Sequence, residues 1–104
     1  MTALAINISD EQLAEFCQRW QIREVSLFGS VLRDDFGPNS DVDVLVTLDE
    51  QATRSMLDVI AAEQELAAIL GRPVDLLVRS AVERSENWIR RRRILNSART
   101  IYAR

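Results

Sequence analysis

The segment Asp41-Val42-Asp43-Val44-Leu45-Val46-Thr47 constrains this chain more than any other. Successive side chains of a β-strand point to opposite faces, so Val42, Val44 and Val46 line one side while Asp41 and Asp43 share the other. A helical period would scatter both sets. A fold built around this strand must bury the valine side and must leave two adjacent carboxylates pointing the same way. At 104 residues with 47% hydrophobic content, the chain has material for one core, and residues 1–104 are expected to form a single domain.

The remaining elements follow from local signals. Ser9 with Gln12 reads as a capping box, and Ile8 with Leu13 as a hydrophobic staple, opening a helix whose buried face carries Leu13, Phe16, Cys17 and Trp20. Glu24–Phe28 reads as a strand, interrupted at Gly29-Ser30 by a turn into a brief helix near Val31–Asp35, with residues 36–40 as loop. From Thr53 to Leu70 the spacing of Met56, Val59, Leu66 and Ile69 is helical, with Gly71 as C-cap and Met56 expected in the core. Pro73–Val78 predicts a buried strand containing Asp75, then a helix over Glu83–Leu95 and a last strand at Ala98–Tyr102. The alternation implies an α/β (α+β) layer architecture, a small sheet covered by helices. Strand order does not follow from this pattern.

Composition narrows the chemistry. There is no histidine, and Cys17 is the lone cysteine, which excludes an internal disulfide, a cysteine-clustered zinc site and every Ser-His or Cys-His nucleophile pair. Any metal is therefore held by oxygen. The N-terminus has neither a basic lead nor a long apolar run, and no later run approaches the ~20 apolar residues of a membrane span, so a cytoplasmic protein with no membrane association is expected. A net charge of −3 argues against direct DNA binding, although all thirteen basic residues are arginine and Arg90–Arg93 are consecutive.

Asp41, Asp43 and Asp75 stand in apolar sequence, where an unpaired charge is costly. Either an arginine or a bound cation must compensate them, and hard oxygen ligands on one face suit Mg²⁺. The sharp form of this reading is a two-metal phosphoryl-transfer site. The Gly29-Ser30 turn adds a complementary half, since glycine permits close backbone approach to a phosphate and a helix starting at Ser30 offers free N–H groups. Arg33 follows about one turn on.

Gly29-Ser30, ten intervening residues, then Asp41-x-Asp43 resembles the signature of the DNA polymerase beta-like nucleotidyltransferase superfamily. More narrowly, Leu27-Phe28-Gly29-Ser30-x-x-Arg33, Phe36-Gly37-Pro38-x-Ser40-Asp41-x-Asp43 and the ending from Ile94-Leu95 to Ile101-Tyr102 look like the minimal nucleotidyltransferases, so the likeness covers nearly the whole chain. The resemblance implies a nucleotidyltransferase fold in which Gly29 and Ser30 bind nucleotide phosphates, Asp41 and Asp43 ligate two Mg²⁺ ions, and Asp75 is the third carboxylate, a further ligand and the favoured catalytic base. Arg33 and Ser40 join Gly29 and Ser30 as candidate nucleotide-binding residues. The resemblance also implies a partner, because stand-alone domains of this kind pair with HEPN-domain ribonuclease toxins and some transfer AMP from ATP onto a toxin tyrosine. An antitoxin adenylyltransferase that associates with such a toxin is the leading expectation. The alternative is a non-catalytic antitoxin that neutralises by covering a surface; a transferase subunit acting on an antibiotic lacks any pocket-forming extension.

Plainer readings stand beside these. Arg33 also suits a surface pair with Asp34 or Asp35, Ser40 is ordinary turn chemistry, and Arg90–Arg93 spray around a solvated helix unless they face a toxin or RNA. Trp88 is ambiguous, since surface tryptophan often marks an interface.

Overall fold

The computed structural model describes residues 8–29, 41–50 and 55–104. Helix α1 (Asp10–Trp20) begins as its sequence predicts. Ser9 accepts from the Gln12 N–H while the Gln12 side chain accepts from the Ser9 N–H, and Gln21 closes the helix in the left-handed region at φ 56°. The strands β1 (Ile22–Phe28) and β2 (Val42–Leu48) pair antiparallel. After β2 come α2 (Met56–Leu70), β3 (Val74–Val78), α3 (Arg79–Glu83), α4 (Trp88–Ser97) and β4 (Arg99–Ala103).

The sheet is mixed, with strand order β3-β2-β1-β4: β3 runs parallel to β2 through the α2 crossover, and β4 runs antiparallel to β1. One face is packed tightly. Val25 and Leu27 of β1, Val42, Val44 and Val46 of β2, and Leu76 of β3 meet Leu13, Phe16 and Cys17 of α1 and Ala62 and Leu66 of α2. Ile22 joins the same core because the register shifts between Ile22 and Glu24, which resets the face alternation. The other face carries a smaller cluster, Phe28, Leu45, Val82 and Ile94, with Leu77, Leu95 and Ala98 packed against it. Buried Ser26 lies on this side and shares a 3.2 Å hydroxyl contact with Thr100.

Four expectations are corrected. Helix α2 starts at Met56, because Ser55 and Asp58 form a capping box there; Thr53 falls outside the described residues. Met56 is 75% exposed and not core, while Val59 is partly buried and Ala62 and Leu66 are the buried residues of the helix. Periodicity fixes direction around a helix axis, and an end turn can still project past what the helix packs on. β3 is an edge strand in which only Leu76 is buried, and the Leu76 N–H is satisfied by Glu63 of α2 at 2.8 Å. The single helix expected over Glu83–Leu95 is two, because the Ser85 hydroxyl accepts from the Asn87 N–H, and Asn87 then caps α4 by accepting from the Arg90 N–H. Arg91 locks the break by donating to the Ser85 carbonyl at 2.9 Å.

Candidate active site

The two faces of the sheet assign the acids their place. The register pairs Phe28 of β1 with Asp43 of β2, and Asp43 with Asp75 of β3, so these residues form one row across three strands. In-register neighbours share a face, and adjacent strands are ~4.8 Å apart. Asp41 lies two residues before Asp43 on the same side, and the Val42 N–H donates to the Pro73 carbonyl at 2.9 Å, drawing the starts of β2 and β3 together. All three expected carboxylates thus gather at one end of one face, the face of the smaller apolar cluster.

Gly29 belongs to the same end. It follows the last residue of β1 at φ +74°, a conformation that favours glycine, and a Cβ there would collide with a carboxylate oxygen of Asp43, whose Cγ is 3.2 Å from the added atom's position. Backbone and carboxylate touch because residue 29 has no side chain. Ser30, Arg33 and Ser40, together with the expected helix near Val31–Asp35 and the loop over 36–40, lie outside the described residues.

The acids are less buried than their apolar sequence surroundings imply. Asp41 and Asp75 are exposed and Asp43 is half-buried, so desolvation does not drive compensation at this site. The apolar residues around each acid in sequence point to the opposite face or to the neighbouring cluster. Among the described residues, ion pairs join Arg19 to Glu65 and Arg104 to Asp49, and neither involves Asp75. Arg79, next after β3, lies at the strand's other end, where its Nε donates to Thr47 Oγ1 at 3.1 Å. Among the described residues no three acidic, cysteine or histidine side chains converge on one point as a ready metal cluster. The register aligns Asp43 with Asp75, Asp41 precedes the strand, and like charges gathered at one end of a face repel.

The family described as nucleotidyltransferase domain matches residues 9–101, all but the two tails. The chain belongs to the nucleotidyltransferase domain family. It is homologous to the protein adenylyltransferase MntA of Thermococcus cleftensis, 39% identical over 69 residues, which cover 66% of this chain and 68% of that one. Among solved structures, a toxin-antitoxin with AMP-PNP superposes with a TM-score of 0.70 at 17% identity, covering 93% of this chain and 75% of that one. A complex of tri-AMPylated Shewanella oneidensis HEPN toxin with MNT antitoxin superposes with a TM-score of 0.61 at 19% identity, covering 90% of this chain and 69% of that one. At these identities the structures establish the fold, the nucleotidyltransferase fold expected from the sequence. No described helix is long and apolar enough to cross a membrane.

The sequence reading did not single out Ile89 or Asn96. With Trp88, Arg92 and Arg93 they line an open depression of about 490 Å³ along α4. The four-residue spacing of Trp88, Arg92 and Asn96 was the available signal.

Proposed function

We propose that this nucleotidyltransferase domain, residues 1–104, is a Mg²⁺-dependent protein adenylyltransferase. It moves AMP from ATP to a hydroxyl, that of a tyrosine, on a HEPN-domain toxin, and thereby acts as its antitoxin in the cytoplasm. The observation that carries the proposal is the row Asp43–Asp75, with Asp41 two residues upstream, meeting the Gly29 turn at one end of the sheet. Kinship to a protein named as an adenylyltransferase and a fold shared with toxin-antitoxin assemblies support the acceptor class.

The residues fit the metal the chemistry asks for. No histidine exists in the chain and Cys17 is buried in the core, so the donors at hand are hard oxygens. Asp41 and Asp43 would hold the ions, with Asp75 completing the set. Bound Mg²⁺ neutralises triphosphate charge and lowers the pKa of the acceptor hydroxyl. The Gly29 backbone approaches the phosphates without a side chain in the way, and Ser30, Arg33 and Ser40 supply further phosphate contacts. Asp75, exposed on the edge strand, is open to an incoming acceptor and takes the hydroxyl proton as the new O–P bond forms and the bond to pyrophosphate breaks.

The test is incubation with α-labelled ATP, Mg²⁺ and the purified HEPN-domain partner. Label on the partner that disappears with the Asp41→Asn, Asp43→Asn variant is the expected result. A stable unlabelled complex, with neutralisation surviving in that variant, would replace the transferase by a covering antitoxin.

A further inference from the structure

Helix α4 has two sides with different tasks. Ile94 is buried, and Leu95 and Ala98 pack with it on Phe28 and Leu45, on the sheet face that bears the acids; Phe28 is the register partner of Asp43. Opposite, Trp88 is 57% and Ile89 53% exposed, large apolar side chains side by side in the first turn. Arg92 and Arg93 follow one turn later and Asn96 one turn beyond Arg92, so tryptophan, isoleucine, two guanidinium groups and an amide occupy one strip. Arg91 is not part of it, being held inward by the carbonyls of Glu83 and Ser85. The helix contains no acidic residue to neutralise the strip, although the whole chain carries a net charge of −3.

We infer that this strip is the docking surface for the acceptor protein, and that it takes an acidic segment of that protein which sets an apolar side chain between Trp88 and Ile89. The inference rests on the transferase reading above and adds the surface that brings the acceptor to it. Charge complementarity selects the occupant: Arg92 and Arg93 flank the apolar pair and call for carboxylates. An exposed tryptophan beside an exposed isoleucine, with arginines one turn away, is the composition enriched at interface centres, whereas a solvated helix face has no use for it. Continuity supplies the second argument, because the helix presenting the strip is packed directly on the row that contains Asp43. Nucleic acid fits less well. Ile89 offers no ring for stacking, so the strip presents one aromatic side chain where a single strand stacks successive bases.

The experiment measures AMP transfer and equilibrium binding with the purified HEPN-domain partner, for the wild-type protein and for two variants, Trp88→Ala with Ile89→Ala and Arg92→Glu with Arg93→Glu. All four side chains leave the apolar cores untouched, and circular dichroism confirms folding. The expected result is a rise of about tenfold or more in acceptor KM and in partner Kd for both variants, with KM for ATP unchanged and wild-type binding weakened by salt. Transfer by wild type and variants with equal acceptor KM would overturn the docking surface and leave the transferase standing. Partner binding lost in the variants, with no label transferred by wild type, would keep the surface and remove the transferase. Absence of wild-type binding, self-association that the variants abolish without changing partner affinity, or binding of a single-stranded oligoribonucleotide in place of the partner would each overturn the inference.

Discussion

The two faces of this sheet are made by the same strands and behave oppositely. The face under α1 and α2 receives Val25 and Leu27 of β1 and Val42, Val44 and Val46 of β2 as branched apolar side chains and seals them from water. The face toward α3 and α4 is sealed only over Phe28, Leu45, Val82 and Ile94, and beyond that patch it ends in aspartates open to solvent. Alternation lets one strand serve both: Val42 and Val44 anchor β2 from below while Asp43, fixed between them, faces out with little freedom of position. Stability is concentrated on one face and the proposed chemistry at the end of the other.

The largest effect belongs to the acid row. Asp41→Asn with Asp43→Asn is expected to lower AMP transfer on the order of a thousandfold, the rate equivalent of several kcal/mol of lost charge stabilisation. Because Asp41 is exposed and Asp43 half-buried, the melting temperature should stay within a few degrees of wild type by a first-order rule for surface changes. A large fall in melting temperature would show that the acids also support the fold, and the division would fail.

The mirror experiment is Leu66→Ala on the covered face. Leu66 is among the most buried side chains and belongs to the core cluster on the face opposite the acid row, so its truncation should cost about 2–5 kcal/mol in urea unfolding. Partner-independent nucleotide affinity of the fraction that remains folded should be unchanged. Gly29→Ala falls between the two. The new Cβ meets the Asp43 carboxylate in a backbone conformation hostile to side chains, so transfer should drop about tenfold or more while stability falls by only ~1 kcal/mol.

How much of this was legible depended on distance along the chain. The face of Asp41 and Asp43 was readable because alternation is a property of neighbouring residues, and α1 was readable because Ser9 and Gln12 are three apart. The pairing of Asp43 with Asp75 was not, since it depends on which strands become neighbours, and Asp75 looked buried because its edge position is invisible in Pro73–Val78. The break between α3 and α4 was hidden for another reason: residues 83–87 are all polar and carry no apolar period to mark a boundary, and the side chains of Ser85 and Asn87 accept backbone N–H groups there. Met56 stands in the first turn of α2, and at about 100° per residue it is turned away from the buried Ala62 and Leu66.

The smallest predicted effect measures how completely the covered face is sealed. Cys17 is fully buried, and loss of hydration pushes its thiol from 9.0 up to about 12, against an opposing pull from the charge of Arg104. In the unfolded chain the thiol ionises near its ordinary value, so between pH 9 and about 12 the unfolded state holds fewer protons than the folded one. Stability contributed by the neutral thiol is therefore intact below pH 9 and declines as pH rises, by at most ~1.4 kcal/mol per unit. The test compares urea midpoints of wild type and Cys17→Ala between pH 8 and 10.5; the variant is less stable throughout, so the slope is the readout. A steeper alkaline decline in wild type means that α1 keeps water from the thiol. Parallel slopes would mean that water reaches Cys17 in the folded protein, and the contrast between a sealed face and an open one would lose its strongest residue.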